Sequence, residues 1–452
     1  MTDDVLSLTR DLCEFRTGVV APDNERLFAR IDAELPLTMH RFASGSEFNG
    51  WLIPDSWHVE RAAISRDGKT IWDGTDEALA VAAYSQSFSG RLDRSELEPH
   101  VVTNPELPDA YVYHCMWQYR PWDADWAVSV PNSVFSTFAP GPYDVELVTH
   151  REPGEMLVAE YEHRGEDDRT FVFNAHTCHP RMANDDFAGV AALVRLFQWL
   201  RERETRYSYL LVLGPEHLGT VFYLRDLPQS RLERLVGGMF AEMPGTGGPL
   251  KAASSFLGGQ PIDRAVAAAA RTAREFRQVS WRRGAGNDET VWEAPGYEVP
   301  FVELSRSEDL FAPYREYHTS LDTADLLDEG QLDEYLAVLR RTVEALEEDA
   351  VPRRRFDGLI CLSNPRYDLY PERPDPAVDK PLAEDSERWG YLSDCLPRYL
   401  DGTMTALEIA DRHELDYADV LAYLRRFEES GLIDLSPAWV ERLPVTRVEA
   451  VT

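Results

Sequence analysis

Apolar positions along the chain change period several times, and each change predicts a different kind of element. Up to about residue 45, Val5, Leu6, Leu12, Leu27, Phe28 and Ile31 recur at mixed three- and four-residue spacing, which predicts helix. From Trp51 to about Leu147 the texture is one of short aromatic and β-branched runs, such as Thr70-Ile71-Trp72 and Tyr111-Val112-Tyr113, broken by Gly, Pro and Asp. Such runs predict a compact β-rich module of roughly a hundred residues. Beyond it, Met156 to Ala159 and Thr170 to Phe173 read as strands before a helix from about Asp186 to Leu200. Tyr209 to Leu213 reads as a strand before a helix starting near Leu218, and Val236 to Phe240 forms a further apolar run. Strands alternating with helices predict an α/β domain with a largely parallel sheet. Prolines are densest from Pro365 to Pro381, which reads as a linker or surface crossing. Thr405 to Ala410 and Tyr417 to Phe427 then read as two helices, followed by a short strand near Gly431 to Leu435, an order that suggests a winged helix. The expected divisions are 1–48 for the first part of the main domain, 49–150 for an inserted β-rich module, 151–352 for the main α/β domain, 353–390 for a crossing segment and 391–452 for the winged-helix module.

Charge narrows the function classes. The chain has 452 residues, with 79 Asp plus Glu against 46 Lys plus Arg, a formal net charge of −33. Nucleic acid and anionic lipid both require a concentrated basic surface, so neither is an expected partner. The C-terminal module, the one part whose form suggests DNA, carries 12 acidic residues against 6 arginines over 391–452. At 44% hydrophobic and 28% charged, the composition is that of a folded globular protein. The five cysteines stand singly, which argues against a disulfide framework. The opening MTDDVLSLTRDLCEF lacks the basic start and apolar run of a secretory signal, and no stretch approaches the roughly 20 apolar residues of a membrane span. The expectation is a cytoplasmic protein.

Candidate chemistry gathers where strands end. Thr170 to Gly189, TFVFNAHTCHPRMANDDFAG, runs an apolar strand straight into His176, Cys178, His179, Asp185 and Asp186. Ligands of open α/β sheets bind at the carboxyl ends of strands, and imidazole with carboxylate suits zinc. A hydrogen-bonded loop without metal is the alternative for this segment alone. The strand Tyr209 to Leu213 likewise runs into Gly214-Pro215-Glu216-His217. Glu216 is a candidate general base, or simply an acid at a helix N-terminus, and His217 a ligand or an orienting group. A third polar cluster, Tyr314 to Thr323, contains His318 just before a helix expected from Ser320 or Asp322, and Asn287 to Thr290 precedes it.

These motifs occur together and in order: FASGSEFNGWLIPDSW, HTCHP with ANDDFAG, PEHLG, GNDETVW with a later ELSRS, YREYHTSLDT, and the C-terminal DGTMTALEIADRHELDYADVLAYLRRFEESGLIDL. The chain thereby resembles, over nearly its whole length, the aminopeptidase-like zinc hydrolases, which are related to the co-catalytic zinc aminopeptidases and to glutaminyl cyclase. The resemblance implies a zinc-aminopeptidase-like α/β/α domain with a mixed, largely parallel sheet, an inserted β module and a C-terminal winged helix. It implies one or two zinc ions. Asp185 matches the aspartate that binds zinc and bridges two ions where both are present, and His318 matches the late histidine ligand. His176 and His179 are equal candidates for the strand-end ligand, and Glu242 matches a further acidic ligand. Glu216 matches the glutamate that takes a proton from metal-activated water. His217 stands where two-metal relatives have a second glutamate, Cys178 where they have an aspartate, and Asp186 and Ala188 where Asn and Ser are usual. Asp288, Glu289 and Glu242 are candidates for a substrate amine, Arg306 for a substrate carboxylate and Tyr317 for an oxyanion. The implied activity is hydrolysis of an amide bond in a small peptide or aminoacylated metabolite. Cyclisation of the glutaminyl-cyclase kind and a non-catalytic scaffold are the alternatives. Expected partners are a small peptide or amine-bearing small molecule, without nucleic acid or membrane, with self-association open.

Overall fold

The computed structural model describes residues 4–123, 125–308, 313–370 and 384–446. Its centre is an eight-stranded mixed sheet. In chain order the strands are β1 (Thr38–Ala43), β2 (Glu155–His163), β3 (Thr170–His176), β4 (Ser208–Gly214), β5 (Leu235–Ala241), β6 (Leu250–Ala253), β7 (Phe276–Val279) and β8 (Phe301–Arg306). Across the sheet they run β1-β2-β4-β3-β5-β8-β6-β7. The central strands β4, β3, β5 and β8 are mutually parallel, while β1, β2 and β6 pair antiparallel with their inner neighbours. Every residue of β3, β4 and β5 is buried. That is why these segments read as unbroken apolar runs: a parallel strand covered on both faces has no polar side to alternate with.

Helices cover both faces. On one lie α1 (Val5–Leu12), α2 (Asp23–Asp32), α3 (Ala188–Leu200), α5 (Pro261–Ala270) and α6 (Glu329–Glu348), which share one apolar core with the sheet. On the other, α4 (Leu218–Asp226) and the turn holding Trp292 pack a second core around Phe222, Phe240 and Phe301. The layers are therefore α/β/α, with β3, β4 and β5 all pointing their carboxyl ends at one edge.

Two local expectations change. Residues 38–43, expected to be helical, form β1, because Thr38 to Ala43 finds the open edge of β2 in antiparallel register from Thr38 opposite Glu160 to Ala43 opposite Glu155. The helix expected from Ser320 or Asp322 begins instead at Glu329, where the Asp328 side chain accepts from the Gln331 backbone N–H at 2.9 Å. Ser320 and Asp322 stay in the turn, and Asp322 is put to other use there.

Between β1 and β2 the chain builds a separate four-stranded antiparallel sheet from Ser56–Arg66, Lys69–Asp73, Phe88–Asp93 and Pro142–Glu152. It encloses its own core of Ile64, Trp72, Tyr143, Val145 and Leu147. At the far end, helices Ala406–His413 and Tyr417–Glu429 lead into the strand Ile433–Pro437, which pairs antiparallel with Ala350–Arg354. The proline-rich stretch of the expected crossing segment, residues 371–383, lies outside the described residues. Among those described, no helix is long and apolar enough to cross a membrane.

One buried charge ties β2 to α4. Glu160 accepts hydrogen bonds from the Tyr223 hydroxyl and from Arg231 Nη1 at 2.9 Å, with His40 Nε2 at 3.4 Å. Burial pushes its carboxyl up, but His40, Arg231 and Tyr223 together outweigh burial and hold it at about 2, against an ordinary value of 4.5. A depressed carboxyl stabilises the fold fully above its unfolded value and loses that contribution as pH falls from about 4.5 towards about 2. Glu160→Gln is expected to cost about 3 kcal/mol at pH 7 and about 1 kcal/mol at pH 3, read from urea midpoints. An equal cost at both pH values would refute the assignment.

Candidate metal centre

At the carboxyl edge of β3, the strand ends on His176 and the chain turns through Cys178 and His179. Non-helical backbone at Asp185 and Asp186 then delivers it into α3. The turn puts three imidazoles around one carboxylate. His176 Nε2 lies 2.9 Å from Asp185 Oδ1, while His318 Nε2 and His179 Nε2 lie 3.3 Å and 3.6 Å from Asp185 Oδ2. Both His179 Nε2 and Asp185 Oδ2 are buried without a hydrogen-bond partner. The ligand atoms of His179, Asp185 and His318 fall within 4.8 Å of one another, as do those of His176, Asp185 and Glu242, and those of His176, Cys178 and His179. Burial pushes the Asp185 carboxyl up, but the three imidazoles hold it well below the ordinary range. Burial, outweighing Asp185, keeps His179 below its ordinary value, in the neutral form that binds metal. For His176 burial also opposes protonation, but Cys178 and the bond to Asp185 outweigh it and raise the imidazole well above its ordinary value.

Backbone amides hold the turn in place. Asp322 accepts from the N–H of Asn184 at 2.9 Å and of Asp185 at 3.2 Å, and from the Tyr314 hydroxyl at 2.9 Å. Asp186 accepts from backbone N–H groups, those of Gly189 at 3.1 Å, Met243 at 3.3 Å and His176 at 3.4 Å. A Cβ on Gly189 would stand 2.1 Å from that carboxylate, so glycine is required for the close approach.

Glu216 sits half-buried just past the end of β4. Its carboxylate lies 3.2 Å from His217 Nδ1 and accepts from the Tyr119 hydroxyl at 3.3 Å. Burial pushes this carboxyl up, yet His217 holds it at about 2, so it is ionised at neutral pH. The other His217 nitrogen faces Thr290 Oγ1 at 3.3 Å, and the ring stacks on Trp51. With both nitrogens engaged this way, His217 joins none of the ligand groups, which favours orientation of Glu216 over metal binding.

The other expected residues divide. Glu242 follows β5 directly. Its Oε2 accepts from Asn287 Nδ2 at 3.1 Å, while Oε1 is buried and unpartnered. Burial, then the nearby Glu303 and Asp185 charges, raise its carboxyl well above the usual range. Tyr317 stacks on His318 with ring centres 3.9 Å apart, and burial together with the charges of Asp185, Glu216 and Glu242 keeps its hydroxyl protonated. Asp288 and Glu289 are taken up by structure. Asp288 accepts from the His217 N–H and the Thr220 hydroxyl, and Glu289 pairs with Arg282 at 2.9 Å. Arg306 corrects the expectation of a substrate carboxylate: it is buried, donates to the Pro244 and Gly248 carbonyls, and pairs with Glu334.

Sequence reasoning passed over the inserted module's part. Tyr113 stacks on His179 at 4.4 Å, and its backbone N–H donates to the His318 carbonyl at 2.8 Å. Val112 bridges to Thr319, so the insert pins the turn that carries His318. The Tyr111 to Tyr113 run reads as a strand but forms only the single bridge at Val112, and nothing local shows that it meets a histidine about two hundred residues later.

The chain belongs to the family described as a domain of unknown function, DUF4910, whose model matches residues 7–349. A Clostridium acetobutylicum protein provisionally named a polysaccharide biosynthesis protein with an aminopeptidase-like domain is 26% identical over 338 residues, 74% of this chain and 76% of that one. A solved structure from Clostridium acetobutylicum, provisionally named a peptidase, superposes with a TM-score of 0.76 at 21% identity and covers 96% of each chain. A zinc aminopeptidase from Bacillus subtilis superposes with a TM-score of 0.57 at 12% identity, covering 75% of this chain and 93% of that one. The fold is therefore similar to that of the zinc aminopeptidases.

Proposed function

We propose that this member of the DUF4910 family is a zinc-dependent amide hydrolase of aminopeptidase type, acting on a small peptide or an aminoacylated metabolite. The observation that carries the reading is the pair of unpartnered buried atoms, His179 Nε2 and Asp185 Oδ2, beside His318 at the strand edge. Leaving such atoms unpaired costs about 1–3 kcal/mol each, and a cation between them removes that cost. Two imidazoles and one carboxylate form a zinc ligand set that leaves a coordination position open, as catalytic sites do. His179, Asp185 and His318 would hold the ion, and His176 with Glu242 offers a second set sharing Asp185.

Zinc bound there supplies Lewis acidity towards a carbonyl and makes water a nucleophile at neutral pH. Glu216, ionised and held by His217 and Tyr119, would serve as the base that takes a proton from the attacking water and returns it to the leaving amine. The Tyr317 hydroxyl donates to the oxygen on which charge develops. The likeness of fold to the aminopeptidases supports this arrangement of roles.

Metal analysis of the purified full chain, followed by mass identification of products from peptides with free apolar N-termini and with N-terminal Gln, tests the reading. One or two zinc ions per chain and release of the N-terminal residue are expected. Absence of zinc, with no activity restored by adding it, would overturn the proposal, and ammonia loss from N-terminal Gln alone would replace hydrolysis by cyclisation.

A further inference from the structure

Between residues 16–23, the inserted module and the metal-ligand turn lies a cavity of about 350 Å³. Its walls are predominantly apolar, with Val19, Val20, Trp57, Val81, Tyr84 and Tyr113, and Cys178 also lines it. The volume is at the lower end for small-molecule sites, which favour junctions between structural units. Most wall polar groups have partners inside the fold. Trp57 Nε1 donates to the Ser85 carbonyl at 3.0 Å, and the Thr17 hydroxyl to the His179 carbonyl at 2.5 Å. Rim charges are occupied too: Glu77 pairs with Arg181 at 3.1 Å, and Arg16 donates to the Asp76 carbonyl at 2.6 Å.

Gln118 is the exception. It is 2% exposed and its Oε1 accepts from the Tyr113 hydroxyl at 3.0 Å, yet its amide nitrogen is buried with no partner. Among the described residues lining the cavity, no other side chain has a buried polar atom left unpaired. Buried amide donors are nearly always satisfied, so an unpaired one on a cavity wall points to an acceptor supplied from outside the chain.

We propose that this cavity binds an uncharged, ring-sized apolar group carrying one acceptor oxygen, with the ring against Tyr113 and the oxygen on Gln118 Nε2. The apolar side chains select the ring, Arg181 neutralises Glu77, and Gln118 supplies the single directional bond. Tyr113 stacks on His179, so the occupant rests one ring away from the imidazole cluster. The same group could be a remote part of the substrate or a separate effector. This site does not depend on the hydrolase reading, because its occupancy is measurable without metal.

Ligand-observed NMR on the metal-free full chain, with acetophenone and the acceptor-free ethylbenzene as probes, tests the site. Acetophenone is expected to bind more tightly than ethylbenzene. Gln118→Leu should weaken acetophenone about tenfold while leaving ethylbenzene within about twofold, and Ala83→Phe, which fills the cavity, should abolish both. Circular dichroism checks the fold of each variant, and Gln118→Leu decides alone if Ala83→Phe does not fold. Failure of both probes to bind, or equal response of both to Gln118→Leu, would overturn the proposal. During turnover of a peptide, a rise in KM at constant kcat caused by acetophenone assigns the cavity to the substrate, and a change in kcat assigns it to an effector.

Discussion

Glu216→Gln is expected to lower the rate of amide hydrolysis by about 10²- to 10⁴-fold while zinc content stays close to the parent's. The substitution keeps size and hydrogen-bonding reach but removes the only property the proposed step uses, a carboxylate able to take a proton. Glu216 is in none of the groups of potential ligand atoms, so zinc binding has no reason to change. Its neighbours His217 and Tyr119 also remain able to bond to the amide, which keeps the loop in place. Rates within about threefold of the parent at saturating zinc would refute Glu216 as the base and leave the metal centre standing. An equal fall in rate and in zinc content would instead mean that Glu216 supports the ligands.

Asp185→Asn should have the second large effect, and on a different measurement. Asp185 is the carboxylate on which His176, His179 and His318 converge, at 2.9, 3.6 and 3.3 Å, and the amide replacing it carries no charge to balance zinc. Loss of a residue that only supports metal ligands typically costs 10- to 100-fold in metal affinity. Loss of the shared ligand itself should cost more than about 100-fold. Without metal the variant should also be less stable than the parent by about 3 kcal/mol, because a buried ion pair loses one partner and His176 keeps no counter-charge. Competition with a zinc chelator measures the first effect and urea unfolding of chelated protein the second. Unchanged zinc affinity would remove Asp185 from the ligand set.

The two sets sharing Asp185 make its geometry the most demanding in the centre, and the chain holds it through backbone rather than side-chain contacts. Asp322 grips the amides of Asn184 and Asp185, and Asp186 grips those beyond. These two acids belong to motifs noticed in the sequence, ANDDFAG and YREYHTSLDT, but their purpose there is mechanical. An acid next to a metal ligand reads locally as another ligand. Only the direction of its carboxylate, towards amides or towards imidazoles, separates the two roles.

The run of apolar residues in β3, β4 and β5, each breaking into polar residues at its carboxyl end, was legible along the chain because burial on both faces leaves a continuous signal. That signal, with the order of motifs, placed His176, His179, Asp185, Glu216 and Glu242 at one edge of an α/β sheet. What it could not carry was direction and distance. Residues 38–43 look helical by spacing and become a strand because an edge of β2 is free. Arg306, Asp288 and Glu289 look available and are consumed by Glu334, Thr220 and Arg282. Tyr113 and Tyr119 look like ordinary residues of a β-rich insert and are folded against His179 and Glu216. Residue type and local period determined the kind of fold and the kind of chemistry, since both depend on neighbours within a few positions. Which imidazole nitrogens share an oxygen, which acids remain unpaired and which aromatic rings wall the centre were decided by tertiary structure, since hydrogen bonds and metal geometry are set over a few ångströms between segments far apart in the chain.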